Sequence, residues 1–289
     1  MLVLYYLFIK PLSLLPWNML YVISDLLYLI VYKVFRYREK VVSKNMKNAF
    51  PEQSSKALRQ LKNTFYRHFF DIVVETIKLF SAKPEEVISR SKIINPELLN
   101  QYHEKGREVA VVGGHYGNWE YVALSLQPQL KHQVLGIYHQ FKNKFFEEVM
   151  FASRTRTGMI FVSRNKVRTG FFENNPNKYA VIFGADQFPT NAKKVHFTTF
   201  LNQKTAVAFG PEKFAKERDM VVVWGENKRV GRGRYEIKFT LLSENPKDEH
   251  PGAITEMHTK ALEQEILREP AYWLWTHKRW KKEKPYWTD

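Results

Sequence analysis

The sequence predicts an α/β fold: a mixed, largely parallel sheet flanked by helices, preceded by an N-terminal helical segment that faces a membrane. Three observations carry this expectation. Through the middle of the chain, short apolar runs alternate with stretches of helical periodicity, the pattern of strands joined by helical crossovers. Between residues 51 and 80, apolar side chains recur at helical spacing over one long stretch. The first 32 residues contain an apolar run near the length needed to span a bilayer.

Taken in order, "LSLLPWNMLYVISDLLYLIVY" (12–32) carries a single charge, Asp25, and one helix-disturbing residue, Pro16. Pro16 predicts that only the part after it is a continuous helix. Lys33, Arg36, Arg38, Lys40, Lys44 and Lys47 follow at once. If the segment spans, these cations keep the body cytoplasmic; if it lies in the interface, they grip anionic headgroups. A buried core helix is the third reading. The long helix after "FPEQSSK" begins with a Pro and a Ser cap and presents Leu58, Leu61, Phe65, Phe69, Ile72, Val73 and Phe80. Strands are expected at 109–112, 134–137, 160–162, 180–183, 221–224 and 235–241. Helices are expected near 118–126, 143–155, 166–173, 206–217 and 252–267, and the glycines of "KRVGRGRYEI" (228–237) predict a hairpin turn. The organisation expected is an anchor or interfacial helix with a basic flank over 1–50, and a single α/β domain over 51–289.

Charge narrows the class of partner. The 289 residues hold 45 Lys plus Arg against 29 Asp plus Glu, a net charge of +16, with 21 Phe, 15 Tyr and 7 Trp. Such a field favours anionic membranes, acidic carrier proteins or nucleic acid. There is no cysteine, which excludes disulfides, a thiol nucleophile, thiolate metal sites and an acyl-thioester on the protein itself.

The chemistry concentrates in "EVAVVGGHYGNWE" (108–120). A buried strand, a Gly113–Gly114 turn and a helix start near Asn118 put His115 at the carboxyl end of a strand, where open α/β sheets place their reaction centres. Across a loop-to-helix turn, Glu120 can fold back to the imidazole, fix its tautomer and stabilise its charged form. From spacing alone, a capping or core histidine is the commoner reading. No H-E-x-x-H pattern or G-x-S-x-G elbow is present, so neither a zinc site nor a serine hydrolase is expected. His132 and His139 read as surface residues.

"HYGNWE" resembles the H-x4-[DE] motif of membrane acyltransferases, in the H-x-x-N-W-E form of the lipid A biosynthesis (late, or secondary) acyltransferases. "KNMKNAFPEQSSKALRQL" is similar to that family's N-[LM]-x-x-[AC]-F-P-E segment, and "GMIFVSR" (158–164) to G-x-[IV]-F-[IV]-x-R of the glycerolipid acyltransferases. "GADQ" (184–187) and "EPAYWLWTHKRWKKEKP" (269–285) are similar to its D-Q block and its C-terminal W-x-H-x-R-W-K signature. The blocks keep the family's order over roughly residues 15–285. Where the family carries an aromatic–Arg pair, this chain has Tyr138 and His139.

The resemblance implies a glycerolipid acyltransferase-like fold. It also implies transfer of a fatty acyl group from the thioester of acyl carrier protein, or of CoA, to a hydroxyl of a lipid A precursor, with no resident cofactor or metal. His115 is then the general base and Glu120 its partner, with no acyl-enzyme. The amides near Asn118 are the expected oxyanion donors. Asn118, Arg164, Asp186, Gln187 and Arg279 are the expected substrate-binding residues. Trp273, Trp275 and Trp280 serve packing or an interface. The implied location is the cytoplasmic face of the inner membrane. Amino-acid-containing lipids or lysophospholipids are alternative acceptors. A lipid esterase and a basic membrane-bound nucleic-acid binder are the rival classes, although no nucleic-acid module is recognisable.

Overall fold

In the computed structural model, residues 2–138, 140–168, 170–174, 177–189 and 195–280 are described. The chain opens with α1 (Leu2–Leu4), a π-helical stretch Tyr5–Ile9 and α2 (Lys10–Leu14). Pro16, with ψ near 152°, breaks the path, and α3 (Trp17–Leu27) continues through a wider-wound stretch to Val34. The break falls where the proline predicts it, because its ring bars the helical conformation of the residue before it. Next come α4 (Glu39–Ala49), the long α5 (Ser55–Lys78) and α6 (Pro84–Arg90). Ser54 caps α5 by accepting from the Ala57 amide at 3.2 Å.

The body then follows as β1 (Ser91–Ile93), α7 (Glu97–Glu104), β2 (Val109–Gly113), α8 (Trp119–Ser125), β3 (Gln133–Tyr138), α9 (Lys144–Thr155) and β4 (Ile160–Ser163). After these come α10 (Arg164–Arg168), α11 (Phe171–Asn174), β5 (Tyr179–Gly184), β6 (Val195–Phe200) and β7 (Gln203–Ala208). The chain continues as α12 (Gly210–Arg218), β8 (Val221–Gly231), β9 (Arg234–Ser243) and α13 (Ala253–Arg268). Seven strands form one sheet in the order β1-β9-β8-β2-β5-β3-β4, parallel throughout except for the β8–β9 hairpin. The α/β class and the mainly parallel sheet are as the sequence predicts. β6 and β7 form a separate antiparallel ribbon.

Successive residues of β2 enter opposite cores. Ala110 and Val112 pack with Ile254, Leu262 and Ile266 of α13, whereas Val109 and Val111 pack with Leu99 of α7 and Ala123 of α8. A central strand buried on both faces reads as an unbroken apolar run, which is why "VAVV" is legible in the sequence.

Three differences have physical causes. Residues 206–208 lie in β7, and α12 begins at Gly210 with Pro211 at its first turn, where proline's fixed φ suits helix initiation. The expected 166–173 helix divides into α10 and α11, with Gly170 at φ 89° before the second. His132 is buried, not surface-exposed: its Nε2 lies 3.0 Å from the Arg107 carbonyl, and burial lowers its pKa. His139 lies outside the described residues.

One face of the 17–34 helix docks on the body. Tyr21 Oη donates to Glu75 and Ser24 Oγ to Asp71, both on α5. Asp25 is paired with Arg232 of the β8–β9 turn at 2.9 Å, and the same guanidinium reaches Asp71 at 2.7 Å. The other face exposes Met19, Val22, Leu26, Leu29, Ile30 and Val34, spaced three or four residues apart except for the adjacent pair Leu29 and Ile30. Leu2, Val3, Leu4, Leu7 and Phe8 are exposed as well. Trp17–Val34 is long and apolar enough to cross a membrane by length and composition.

Candidate active site

Strand register brings the central pair together. β2 and β5 are parallel neighbours with Gly113 opposite Gly184, and the Ala185 amide continues the ladder to the Gly113 carbonyl at 3.0 Å. The residues two beyond each glycine, His115 and Asp186, therefore emerge side by side at the carboxyl ends of their strands. The chain leaves β2 past β5 to reach β3 and leaves β5 past β2 to reach β8, so the two connections run in opposite directions. Both side chains stand at the carboxyl ends of the strands, where open α/β sheets bind ligands. A Cβ on Gly184 would sit 3.3 Å from His115 Cε1, so the glycine makes room for the ring.

His115 Nδ1 lies 2.7 Å from Asp186 Oδ1, while Asp186 Oδ2 accepts from the His115 backbone amide at 2.9 Å and from the Trp273 indole at 3.0 Å. Asp186 is buried. With an ionised acceptor on it, Nδ1 carries the proton and Nε2 is left as the basic nitrogen. Burial alone would depress the imidazole pKa, but the Asp186 charge and hydrogen bond outweigh it and raise it, with Glu120 adding to the effect. Burial likewise opposes the ionised form of Asp186, yet His115 and the two N–H donors hold its carboxyl far below the usual range. The sign follows: below its raised pKa the imidazole is charged and cannot accept a proton. His115-dependent turnover is expected to rise with pH through a midpoint above the ordinary 6.5, read from the pH profile of kcat/KM.

The carboxylate on the imidazole is thus Asp186, which corrects the expectation that Glu120 folds back onto the ring. Arg154 of α9 takes Glu120 instead, with Nη2 at 2.9 Å from Oε1 and 2.8 Å from Oε2. Asn118 is buried and caps α8 by accepting from the Glu120 and Tyr121 amides at 3.0 and 3.3 Å. Its Nδ2 donates to Glu75 at 2.6 Å, so the side chain is fully engaged within the protein and does not face a substrate. The same cap occupies two of the amides expected to stabilise an oxyanion.

Of the remaining expected residues, Gln187 is exposed and places its Nε2 3.4 Å from His115 Nε2, on the reactive side of the ring. Arg164 is exposed at the end of β4, the edge strand, three strands away from β2 and on the order of 14 Å distant at normal strand spacing. Arg279 is only 1% exposed and donates to Thr205 Oγ1 at 2.6 Å, so it cannot meet a headgroup. Beside His115, a cavity of about 130 Å³ is walled by Val111, Val122, Leu126, Ile182, Ile237 and Phe239. It is predominantly apolar, as a hydrocarbon chain requires.

The C-terminal segment packs along the loop that carries His115. Tyr116 pairs with Trp273 across an antiparallel bridge, the Leu274 amide donates to the His115 carbonyl at 3.1 Å, and the Gly117 amide to the Tyr272 carbonyl at 3.0 Å. Trp273 and Trp275 are buried. Gly117 has φ 57°, and a Cβ there would lie 2.4 Å from the Asn227 carbonyl oxygen. Gly117→Ala is therefore expected to lower stability by about 3 kcal/mol or more, since left-handed strain adds to a backbone clash. Thermal melting checks this.

Residues 1–282 match the family model described as bacterial lipid A biosynthesis acyltransferase. The chain belongs to this family. It is similar to the lipid A biosynthesis palmitoleoyltransferase of Escherichia coli K12, 25% identical over 247 residues that cover 84% of this chain and 79% of the relative. The lipid A biosynthesis acyltransferase of Shigella flexneri matches to the same extent. The protein is an acyltransferase, and the "HYGNWE" and "GADQ" stretches, singled out by resemblance, lie at the two strand ends that meet at His115 and Asp186.

Three residues of the acyltransferase site were not singled out for it by the sequence. Arg154 stands in "ASRTRTG" (152–158), where nothing in the local pattern ties it to Glu120. Trp273 was assigned to packing or an interface, although a buried indole N–H needs an acceptor, and Asp186 supplies it. Glu75 lies inside the long helix with no local signal beyond being a charge among apolar neighbours.

Proposed function

We propose that this acyltransferase moves a fatty acyl group from the thioester of acyl carrier protein, or of CoA, to a hydroxyl of a lipid A precursor at the cytoplasmic face of the inner membrane. The observation that carries this is an imidazole fixed at Nδ1 by a buried carboxylate beside an apolar cavity. The acceptor O–H gives its proton to His115 Nε2 as its oxygen attacks the thioester carbonyl. The C–S bond then breaks, and the proton passes from Nε2 to the leaving thiolate, giving an ester and a free thiol. Asp186 holds the tautomer and compensates the transient imidazolium. The Glu120–Arg154 pair fixes the wall facing the ring. The acyl chain occupies the cavity, and the net charge of +16 suits an acidic carrier and an anionic lipid.

The N-terminal helix sits in the membrane interface in this account. Its inner face carries hydrogen-bonded and ionic contacts to α5 and the β8–β9 turn, which a helix surrounded by lipid cannot keep. Its outer apolar stripe, with the exposed residues of 2–8, provides the membrane contact.

The test uses purified protein, acyl carrier thioesters of graded chain length and a lipid A precursor, with products read by mass spectrometry. Wild type is expected to form the acylated lipid. Val122→Trp, which fills the cavity, is expected to lower kcat/KM for the longest accepted donor about tenfold or more while sparing shorter ones, the size of a one-to-two-methylene discrimination. Hydrolysis of the thioester with no acylated lipid would instead support an esterase.

A further inference from the structure

We infer that Glu75, a buried carboxylate on α5, is a positioning residue of the acyl-transfer site, orienting the Asn118 cap that sets α8 and tying it to the N-terminal apolar helix through Tyr21. The inference rests on the acyl-transfer reading for its kinetic consequence, and on geometry for the rest.

Glu75 is completely buried, and among the described residues neither of its oxygens meets a cation. Oε2 accepts from Asn118 Nδ2 at 2.6 Å and from Tyr235 Oη at 2.9 Å, and Oε1 accepts from Tyr21 Oη at 3.0 Å. Four elements thus converge on one side chain: α3 through Tyr21, α5 itself, β9 through Tyr235, and the start of α8 through Asn118. A buried carboxylate without a cation is a costly way to hold a core together. What it supplies is direction, because a carboxylate accepts only. It compels Asn118 to present its NH2 inward and its carbonyl oxygen to the Glu120 and Tyr121 amides. The α8 N-terminus so fixed carries Glu120 toward Arg154 and sets the Trp119 ring 5.3 Å from the His115 ring. The interfacial helix is thereby a structural part of the site as well as its tether. Trp17 of the same helix packs edge-on against Tyr121 of α8 at 6.3 Å.

The test uses the full-length protein with four variants. Glu75→Leu is expected to lower kcat about tenfold or more with donor KM within about twofold, and to speed amide exchange in 118–125 while 210–218 is unchanged. Glu75→Gln is expected to stay within about threefold of wild type, because its oxygen still accepts from Asn118 and Tyr235 while its NH2 donates to Tyr21. Asn118→Asp opposes two buried carboxylates and is expected to lose kcat. Adding Glu75→Gln to it restores a donor–acceptor match, and at least fivefold recovery is expected. The recovery distinguishes orientation from general stability, and it decides the matter even if Glu75→Leu does not fold. Full kcat in Glu75→Leu, absence of recovery in the double variant, or faster exchange spread evenly over both peptides would each overturn the inference. If wild type forms no acylated lipid, the functional reading fails on its own, and localised exchange in 118–125 still supports the positioning role.

Discussion

Asp186→Asn is expected to lower acyl transfer by about 10³- to 10⁴-fold, the loss that tautomer inversion brings to a His–Asp pair. Asp186 Oδ2 accepts from two obligatory donors, the His115 amide and the Trp273 indole. An asparagine satisfies both only by placing its carbonyl oxygen there. Its NH2 then faces His115 Nδ1 and donates, so Nδ1 becomes the acceptor and the proton moves to Nε2. The nitrogen that should receive the acceptor's proton already holds one. The charge that raises the imidazole pKa is gone as well, so residual activity should show a pH midpoint lower than that of wild type. Steady-state kinetics over pH, with near-unchanged donor KM, checks both parts.

His115→Ala is expected to abolish transfer to a similar degree, since positioned general-base catalysis contributes about 10²- to 10⁴-fold. It also strips Asp186 Oδ1 of its partner inside the protein, costing about 1–3 kcal/mol for a buried unsatisfied acceptor. His115→Gln separates the two effects. Its amide NH2 can answer Oδ1 and recover stability, but it cannot take a proton, so melting temperature should return while activity does not.

The legible parts of the molecule were those set by local pattern. The runs at 109–112 and 180–183 are strands because both faces of a parallel strand are buried, and Pro16 placed the helix start. β1 has only three residues, and β6 is largely half-exposed, so neither carries a period that stands out. The blocks that meet at the site were also visible, since His115 and "GADQ" both follow apolar runs. Their pairing was not. His115 and Asp186 are 71 positions apart, and only the Gly113–Gly184 register joins them. Spacing within one motif favoured Glu120, yet Arg154, from the next helix, claims that carboxylate. Arg279 misled for a related reason: a basic residue in a Trp-rich tail suggests substrate binding, but the tail packs against β7, where Thr205 accepts from Arg279 and the guanidinium is buried. Asp25, the single charge of the apolar run, has its partner in Arg232 on a distant hairpin turn, which no local pattern shows.

We propose that His115, held by Asp186, is the base for acylation of a lipid A precursor. Lipid mass spectrometry on cells lacking the protein, complemented with wild type or His115→Ala at matched expression, tests it most directly. One acyl chain is expected to be missing from lipid A in the cells lacking the protein, to be restored by wild type and not by His115→Ala. Full restoration by His115→Ala, or unchanged lipid A in the cells lacking the protein, would contradict it.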